Sequence, residues 1–321
     1  MTTVPAPDRV LVTGANGLIG SSLVADLTRA GVRVLRAVRR PPRDPDEVTW
    51  HPERGLEPSE AVEGLSGVVH LAGESLSAGR WTPARKRRIR DSRVEATLRL
   101  CRGLAALRRP PAVFVGASAI GWYGSPGDEW VDETWPPADT FLARLVHDWE
   151  RAADPARQAG TRVVHTRLGL VLAPGGGVLA QLLPPFRLGL GGPIAGGRAW
   201  WSWVAIDDVV GLQRRALTDP AMTGPFNAVS PEPVRNAEFT RLLARVLRRP
   251  AFLPVPAFAL RLVFGEMADE AILASVRASS ARATGAGYAF RFPRLDDALA
   301  RLLGSGHQGE SVRHSGEGQA G

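Results

Sequence analysis

The chain has 321 residues, 44% of them hydrophobic and 22% charged, which suits one globular α/β domain with an elaborated second lobe. A net charge of +8 raises nucleic acid as a partner, but the positive charge is scattered arginine with a single lysine, Lys86. Its one dense run, Arg85-Lys86-Arg87-Arg88-Ile89-Arg90, reads as the solvated face of a helix, so neither nucleic acid nor a membrane is expected as a partner.

Cys101 is the single cysteine, which rules out an internal disulfide and sets the expectation of a reducing, cytoplasmic compartment. Met1 to Arg9 lacks the apolar core of a secretory signal, and the most apolar late segment, Pro254 to Phe264, is interrupted by Arg261. A small-molecule substrate is the expected partner, and a homodimer is compatible with these features.

In chain order, Val10-Leu11-Val12 has the branching of a buried parallel strand. Thr13-Gly14-Ala15-Asn16-Gly17-Leu18-Ile19-Gly20 follows at once. Ile19, Leu23, Leu27 and Ala30 then recur at helical spacing, closed by Gly31 as a C-cap, and a second strand runs from Val32 to Val38. Strand, glycine turn, helix and strand together predict a dinucleotide site. Glycine turns tightly, bares backbone N–H groups to a pyrophosphate and lets helix and strand pack closely. The helix N-terminus adds partial positive charge.

Further strands are predicted near Val48 to Trp50, Gly67 to Ala72, Ala112 to Ala117 and Arg162 to Leu168, and helices over Pro83 to Leu107 and Thr140 to Ala159. This alternation predicts a Rossmann-type doubly wound parallel sheet over residues 1–175, with 203–217 returning to it. The glycine- and proline-rich stretch 174–198 reads as a long functional loop. Residues 176–202 and 218–303 are expected to form a smaller C-terminal α/β substrate lobe. It would hold a helix capped by Asn236 and running to Leu247, and a last helix from Leu295 to Leu303. Asp207 and Asp208 are expected to cap the helix that runs to Leu217. Residues 304–321 are polar and glycine-rich and are expected to be a disordered tail. The sequence has no Cys/His cluster at metal-ligand spacing, so no metal is expected.

The Thr-Gly-x-x-Gly-x-x-Gly string at 13–20 resembles that of the extended short-chain dehydrogenase/reductase superfamily. So do His70-Leu71-Ala72-Gly73, Ser118 followed by Trp122-Tyr123-Gly124, and Ile206-Asp207-Asp208-Val209. Gly73-Glu74, Arg80-Trp81-Thr82, Trp149-Glu150, Leu183 to Pro193 and Val229 to Asn236 narrow the resemblance. They are similar to the "epimerase family protein" subgroup of the NAD(P)-dependent epimerase/dehydratase family, which carries a small extra C-terminal domain. The resemblance implies a nicotinamide dinucleotide held by Thr13, Gly14, Asn16, Gly17, Leu18, Ile19, Gly20, Leu71, Ala72 and Gly73, with Ser118 beside the nicotinamide. It carries over no substrate.

In such folds a carboxylate ending the second strand binds the NAD ribose, whereas a basic residue accommodates the 2′-phosphate of NADP. Here that position is Val38, followed by Arg39 and Arg40, which predicts NADP(H) over NAD(H). Most members of the superfamily use a tyrosine four residues before a lysine. The two tyrosines here, Tyr123 and Tyr288, precede Gly127 and Phe292 at that spacing, and Phe141 stands about where the catalytic tyrosine belongs.

Substitute acids are Tyr123, with Arg144 lowering its pKa, and Glu74, whose alternative is a loop carboxylate paired with Arg80. Ser118 is a hydrogen-bonding candidate, and Glu133 is expected to hold a loop. Trp200, Trp201 and Trp203, with Trp81 and Trp122, either stack on a substrate or form the core between lobes. Arg187, Arg198 and Arg235 match the region where sugar-nucleotide epimerases hold a diphosphate. These features predict an NADP(H)-dependent oxidoreductase or epimerase acting on a small polar or anionic substrate. The alternative is a non-catalytic NADP(H)-sensing or regulatory protein.

Overall fold

Val10 and Val12 point to one face of the central sheet and Leu11 to the other, and all three are fully buried. That is the pattern of a parallel strand covered on both sides. The computed structural model describes residues 7–57 and 59–304. The strand is β1 (Arg9–Thr13), followed by α1 (Leu18–Arg29) and β2 (Arg33–Val38). Next come β3 (Glu47–His51), the short antiparallel β4 (Gly55–Leu56) and β5 (Gly67–His70).

The predicted long helix is α2 (Pro83–Arg90) and α3 (Ala96–Ala105), joined by a π-helical turn over Asp91–Glu95. Thr82 caps it, its hydroxyl accepting from the Arg85 amide. β6 (Val113–Ala119), the short β7 (Trp130–Val131), α4 (Phe141–Arg151), α5 (Asp154–Gln158) and β8 (Arg162–Leu168) follow. The sequence predicts α4 and α5 as one helix; Pro155, at the start of α5, breaks it.

After β9 (Leu170–Ala173) comes α6 (Gly177–Arg187), a helix where a long loop is expected; it carries Pro184 and Pro185 inside it. Leu179, Leu183 and Phe186 are buried, so packing holds the helix despite two missing donors. Then follow β10 (Trp200–Trp201), β11 (Trp203–Ala205), α7 (Ile206–Thr218), β12 (Gly224–Ala228) and β13 (Val234–Arg235). The chain continues through α8 (Asn236–Leu247), α9 (Ala257–Phe264), β14 (Arg277–Ala278), α10 (Ala281–Gly285) and α11 (Leu295–Leu303).

The main sheet runs β12-β8-β6-β5-β1-β2-β3-β4, parallel except at β3–β4. One face packs Val10, Val12, Val69, Val115 and Val164 under Leu23 and Leu27 of α1 and Ile206 and Val210 of α7. The other packs Leu11, Leu35, Val68 and Phe114 under Ala96, Leu100 and Leu104 of α3. Of the segment 203–217, α7 packs on the main sheet while β11 pairs with β9 outside it, and β12, which the sequence places in the second lobe, is an edge strand of the main sheet. A separate core gathers α6, α8 and α11 around Trp201, Trp203 and Phe239.

Two predicted caps are corrected. Arg235, not Asn236, precedes α8, and the Asn236 side chain instead accepts from the Ile194 amide at 2.7 Å. Asp207 and Asp208 lie inside the first turn of α7, and no side chain caps that helix. Asp208 is fully buried and accepts from the amides of Arg291 at 2.6 Å and Phe292 at 3.0 Å, and from the Tyr288 hydroxyl at 3.1 Å. Burial raises its carboxyl pKa despite those donors. The predicted tail falls, from residue 305 on, outside the described residues.

Candidate dinucleotide site

Strand order reverses between β1 and β5, and in such sheets ligands bind at the carboxyl ends of the strands beside that switch. Gly14 stands there with a φ of 67°; a Cβ on it would lie 2.9 Å from the Leu71 carbonyl oxygen and the Ala72 nitrogen. A Cβ on Gly20 would meet the Gly14 oxygen at 2.1 Å, so helix and turn are in direct backbone contact. Gly17 precedes α1 with no side-chain cap, and the first turn holds no acidic residue. The amides of Leu18, Ile19 and Gly20 therefore have no helical acceptor and point out at the positive end of the helix. Asn16 and Gly17 are exposed beside them. A pyrophosphate fits this donor set. A nicotinamide dinucleotide held there would supply or accept a hydride.

Thr13 acts from behind the turn. It is fully buried, and its hydroxyl accepts from the amides of Leu71 at 3.2 Å and Ala72 at 3.3 Å. That leaves its own hydrogen for Nδ1 of His70, 2.7 Å away. Burial pushes the His70 pKa down to about 3, so the ring is a neutral acceptor at neutral pH. Thr13 thus ties β1 to the β5 loop rather than touching a ligand with its side chain.

At the end of β2 the two arginines separate. Arg40 forms a fork on Glu47, with Nη1 and Nη2 each 2.7 Å from a carboxylate oxygen. That hydrogen bonding, with the Arg43 amide, pulls the Glu47 pKa down to about 2. Arg39 is exposed and makes no ion pair among the described residues. Of the two, Arg39 is the guanidinium left for a phosphate.

Ser118, at the end of β6, is 1% exposed and donates to Glu150 Oε1 at 2.6 Å. Glu150, on α4, is gripped by Arg167 of β8 through Nε at 2.9 Å and Nη2 at 3.0 Å. Burial tends to raise the Glu150 pKa, but the Arg167 bonds and nearby positive charge outweigh it, and the net direction is down. Arg167 also donates to the Tyr123 hydroxyl at 3.1 Å and stacks 3.9 Å from the Trp122 ring centre.

Tyr123 is corrected as the proton donor. It is 2% exposed, its hydroxyl donates to Asn227 Oδ1 at 2.7 Å, and burial pushes its pKa up to about 12. Arg144, expected beside it, is an exposed partner of Asp139 instead. Glu133 does hold a loop, accepting from the Asn227 amide at 2.7 Å.

Phe141 opens α4 against Trp81, ring centres 5.3 Å apart, with the Lys86 ammonium 4.8 Å from its ring. Four residues on, Leu145 is buried in the same cluster. Glu74 lies near Arg85 at 3.4 Å and Arg88 at 3.5 Å, not Arg80, which reaches the Leu262 carbonyl.

Of the three substrate arginines, Arg198 and Arg235 meet, but neither borders the cleft that Arg187 lines. Arg187 borders a cleft of about 380 Å³ between α6 and the end of α11. Arg235 is tied to Asp128 at 2.8 Å and stacks on Trp200, and it donates to the carbonyl of the exposed Arg198. Trp201 is core, edge-on to Phe239 at 4.9 Å, and Trp203 is fully buried. Sequence reasoning missed Arg167 and Asn227, and gave Glu150 no role although Trp149-Glu150 is part of the subgroup pattern.

The fold and cradle define a Rossmann-type dinucleotide-binding protein. The profile of the NAD dependent epimerase/dehydratase family matches residues 10–247, and that of a domain of unknown function, DUF1731, matches residues 255–302. The chain belongs to the NAD dependent epimerase/dehydratase family. It is 41% identical to "Epimerase family protein Mb2239" of Mycobacterium bovis over 290 residues, covering 90% of this chain and 96% of that one. It is 34% identical to human "Epimerase family protein SDR39U1", covering 92% and 99%.

The crystal structure of the human protein with NADPH superposes with a TM-score of 0.83 at 33% identity, covering 92% of this chain and 99% of that one. A nucleoside-diphosphate sugar epimerase from Corynebacterium glutamicum gives 0.76 at 34% identity, covering 93% and 58%. Among the described residues no helix is long and apolar enough to cross a membrane.

Proposed function

We propose that the chain is an NADP(H)-dependent oxidoreductase or epimerase of the extended short-chain class, acting on a small polar or anionic substrate. The observation that carries this reading is the intact cradle: an uncapped α1 N-terminus with Gly14 and Gly20 in backbone contact beneath it. Arg39, exposed beyond β2, supports NADP(H) over NAD(H), and so does NADPH in the human relative's structure.

The usual tyrosine–lysine pair is replaced here by Phe141 and Leu145. Ser118 is as buried as Tyr123, 1% exposed, and donates its hydrogen bond to an ionised Glu150, so its hydroxyl ties β6 to α4 rather than standing free for a substrate. Phe141 and Leu145 also favour a second reading, a non-catalytic NADP(H)-sensing or regulatory protein.

Titration of the protein with NADPH and with NADH, read by tryptophan fluorescence, tests both. Tighter NADPH binding is expected. Equal affinity would sink the cofactor preference. Binding of neither would sink the dinucleotide reading altogether.

A further inference from the structure

Of the large apolar side chains that stand exposed among the described residues, all but Trp130 and Trp135 fall in two short segments, 188–190 and 252–263. The segments are distant in the chain and adjacent in space. The Leu253 amide donates to the Gly191 carbonyl at 3.1 Å and the Val255 amide to the Pro193 carbonyl at 2.9 Å, while the Ala195 amide donates back to the Val255 carbonyl at 2.9 Å. A Cβ on Gly189 would lie 3.4 Å from Pro250. Leu188, Leu190 and Phe252 therefore border one seam, and α9 extends the apolar surface from its end.

α9 is an apolar helix that buries none of its residues. Phe258 is 71% exposed and Leu262 74%, and their spacing of four places them on one side of it. A Phe or Leu left in water forgoes the free energy that its burial supplies, so several together mark an interaction surface. The helix is anchored all the same. Phe264 packs against the cluster around Trp81 and Met267, and Arg80 donates to the Leu262 carbonyl at 3.2 Å.

The charge at this surface has one sign. Residues 155–206 and 239–265 contain no Asp or Glu. Arg187 leads into Leu188, and Arg248 and Arg249 follow α8 just before Pro250. Arg187 and Leu247 border the same cleft, so the end of α6 and the end of α8 lie together. All three arginines are exposed and make no ion pair among the described residues. Arg261, on α9 itself, is paired with Asp269 at 2.9 Å.

We infer that this face docks on the surface of a bilayer containing anionic lipid, with Phe252, Phe258 and Leu262 entering the acyl boundary and Arg187, Arg248 and Arg249 at the headgroup phosphates. Apolar tips flanked by arginine suit interfacial binding, because long cationic side chains reach back to the headgroups while the apolar groups insert. Charge complementarity selects this occupant. A second copy would set the same uncompensated arginines against one another. Side chains more than 70% exposed project from the surface instead of lining a groove, which suits a fluid phase better than a shaped protein partner. From sequence no membrane partner is expected, because the arginines are scattered along the chain; the fold gathers these three beside the apolar tips. Such docking needs no spanning helix.

The test is flotation of the full chain with vesicles of phosphatidylcholine alone and of phosphatidylcholine mixed with phosphatidylglycerol, at low and high salt. Wild type should float with the mixed vesicles, much less with phosphatidylcholine alone, and come off in high salt. Phe258→Ser combined with Leu262→Ser should weaken binding about tenfold or more. Arg248→Gln combined with Arg249→Gln should weaken it about ten- to thirtyfold. All four side chains are exposed, so the Tm should not fall in either variant.

Failure of wild type to float with the mixed vesicles overturns the inference. Binding by either double variant equal to that of wild type overturns it too, as does equal binding to both kinds of vesicle. A wild-type dimer that the serine pair dissociates, with no vesicle binding, overturns it in favour of a second copy. Binding to polyglutamate but to neither vesicle overturns it in favour of an acidic protein partner. If the serine pair does not fold, Phe258→Ser alone carries the comparison, and its matching wild type overturns the inference.

Discussion

Replacing Glu150 by Gln changes one charge in the most deeply buried ion pair at the site. The Arg167 side chain is 2% exposed and that of Glu150 11%, so solvent does little to screen what is lost. The amide keeps the shape and can still accept from Ser118. It leaves the guanidinium with the Tyr123 hydroxyl at 3.1 Å, the Glu133 carbonyl at 3.5 Å and the Trp122 ring, but no anion. Breaking a buried pair on one side costs about 3–5 kcal/mol. The surviving contacts place the expected cost near the lower end, about 3 kcal/mol. For a chain of 321 residues that is a fall in Tm of about 4–5 °C.

The pH dependence follows from the direction of the shift. The folded pKa of Glu150 lies below its ordinary value of 4.5, so its contribution is complete above that value and is lost as pH falls through the folded one. Differential scanning fluorimetry of wild type and Glu150→Gln should show a constant gap between about pH 6 and 8, closing in acid. Equal Tm values at neutral pH, or a gap that widens on acidification, would refute the reasoning.

Arg39→Ala should weaken NADPH binding about tenfold and leave NADH unchanged, measured by fluorescence titration. Gly20→Ala places a methyl 2.1 Å from the Gly14 oxygen, so dinucleotide binding should disappear and the Tm should drop in the same preparation. Tyr123→Phe removes a hydroxyl bridging Asn227 and Arg167; it should cost about 1–2 kcal/mol in denaturant unfolding while NADPH affinity holds.

The glycine turn was legible because each of its residues answers a local requirement: a positive φ at Gly14, a backbone contact at Gly20, a bare N-terminus at Gly17. The sheet was legible for the same kind of reason, since valine runs buried on both faces read directly as parallel strands. What the sequence concealed is long-range. Tyr123 meets Asn227 across 104 residues, and Glu150 meets Arg167 only because α4 packs against β6, the strand beside β8. A tyrosine after β6 could be a donor or a core hydroxyl, and only the partners decide.

The helix α6 was concealed by composition, because two prolines and flanking glycines outweigh its apolar residues in any local reading. Arg235 shows the same limit. Its charge is visible in the sequence, and Asp128, more than 100 positions earlier in the chain, is what satisfies it.

The Asp208 carboxylate has a consequence for how the chain is made. It sits in the first turn of α7, yet its donors, Tyr288, Arg291 and Phe292, lie about 80 positions later. A nascent chain that has already assembled the main sheet would still hold that acid against the core with nothing to bond. The half-built domain is therefore weakest along the α7 face until its final helix leaves the ribosome, and synthesis halted short of residue 288 should yield a protease-sensitive product rather than a smaller stable one.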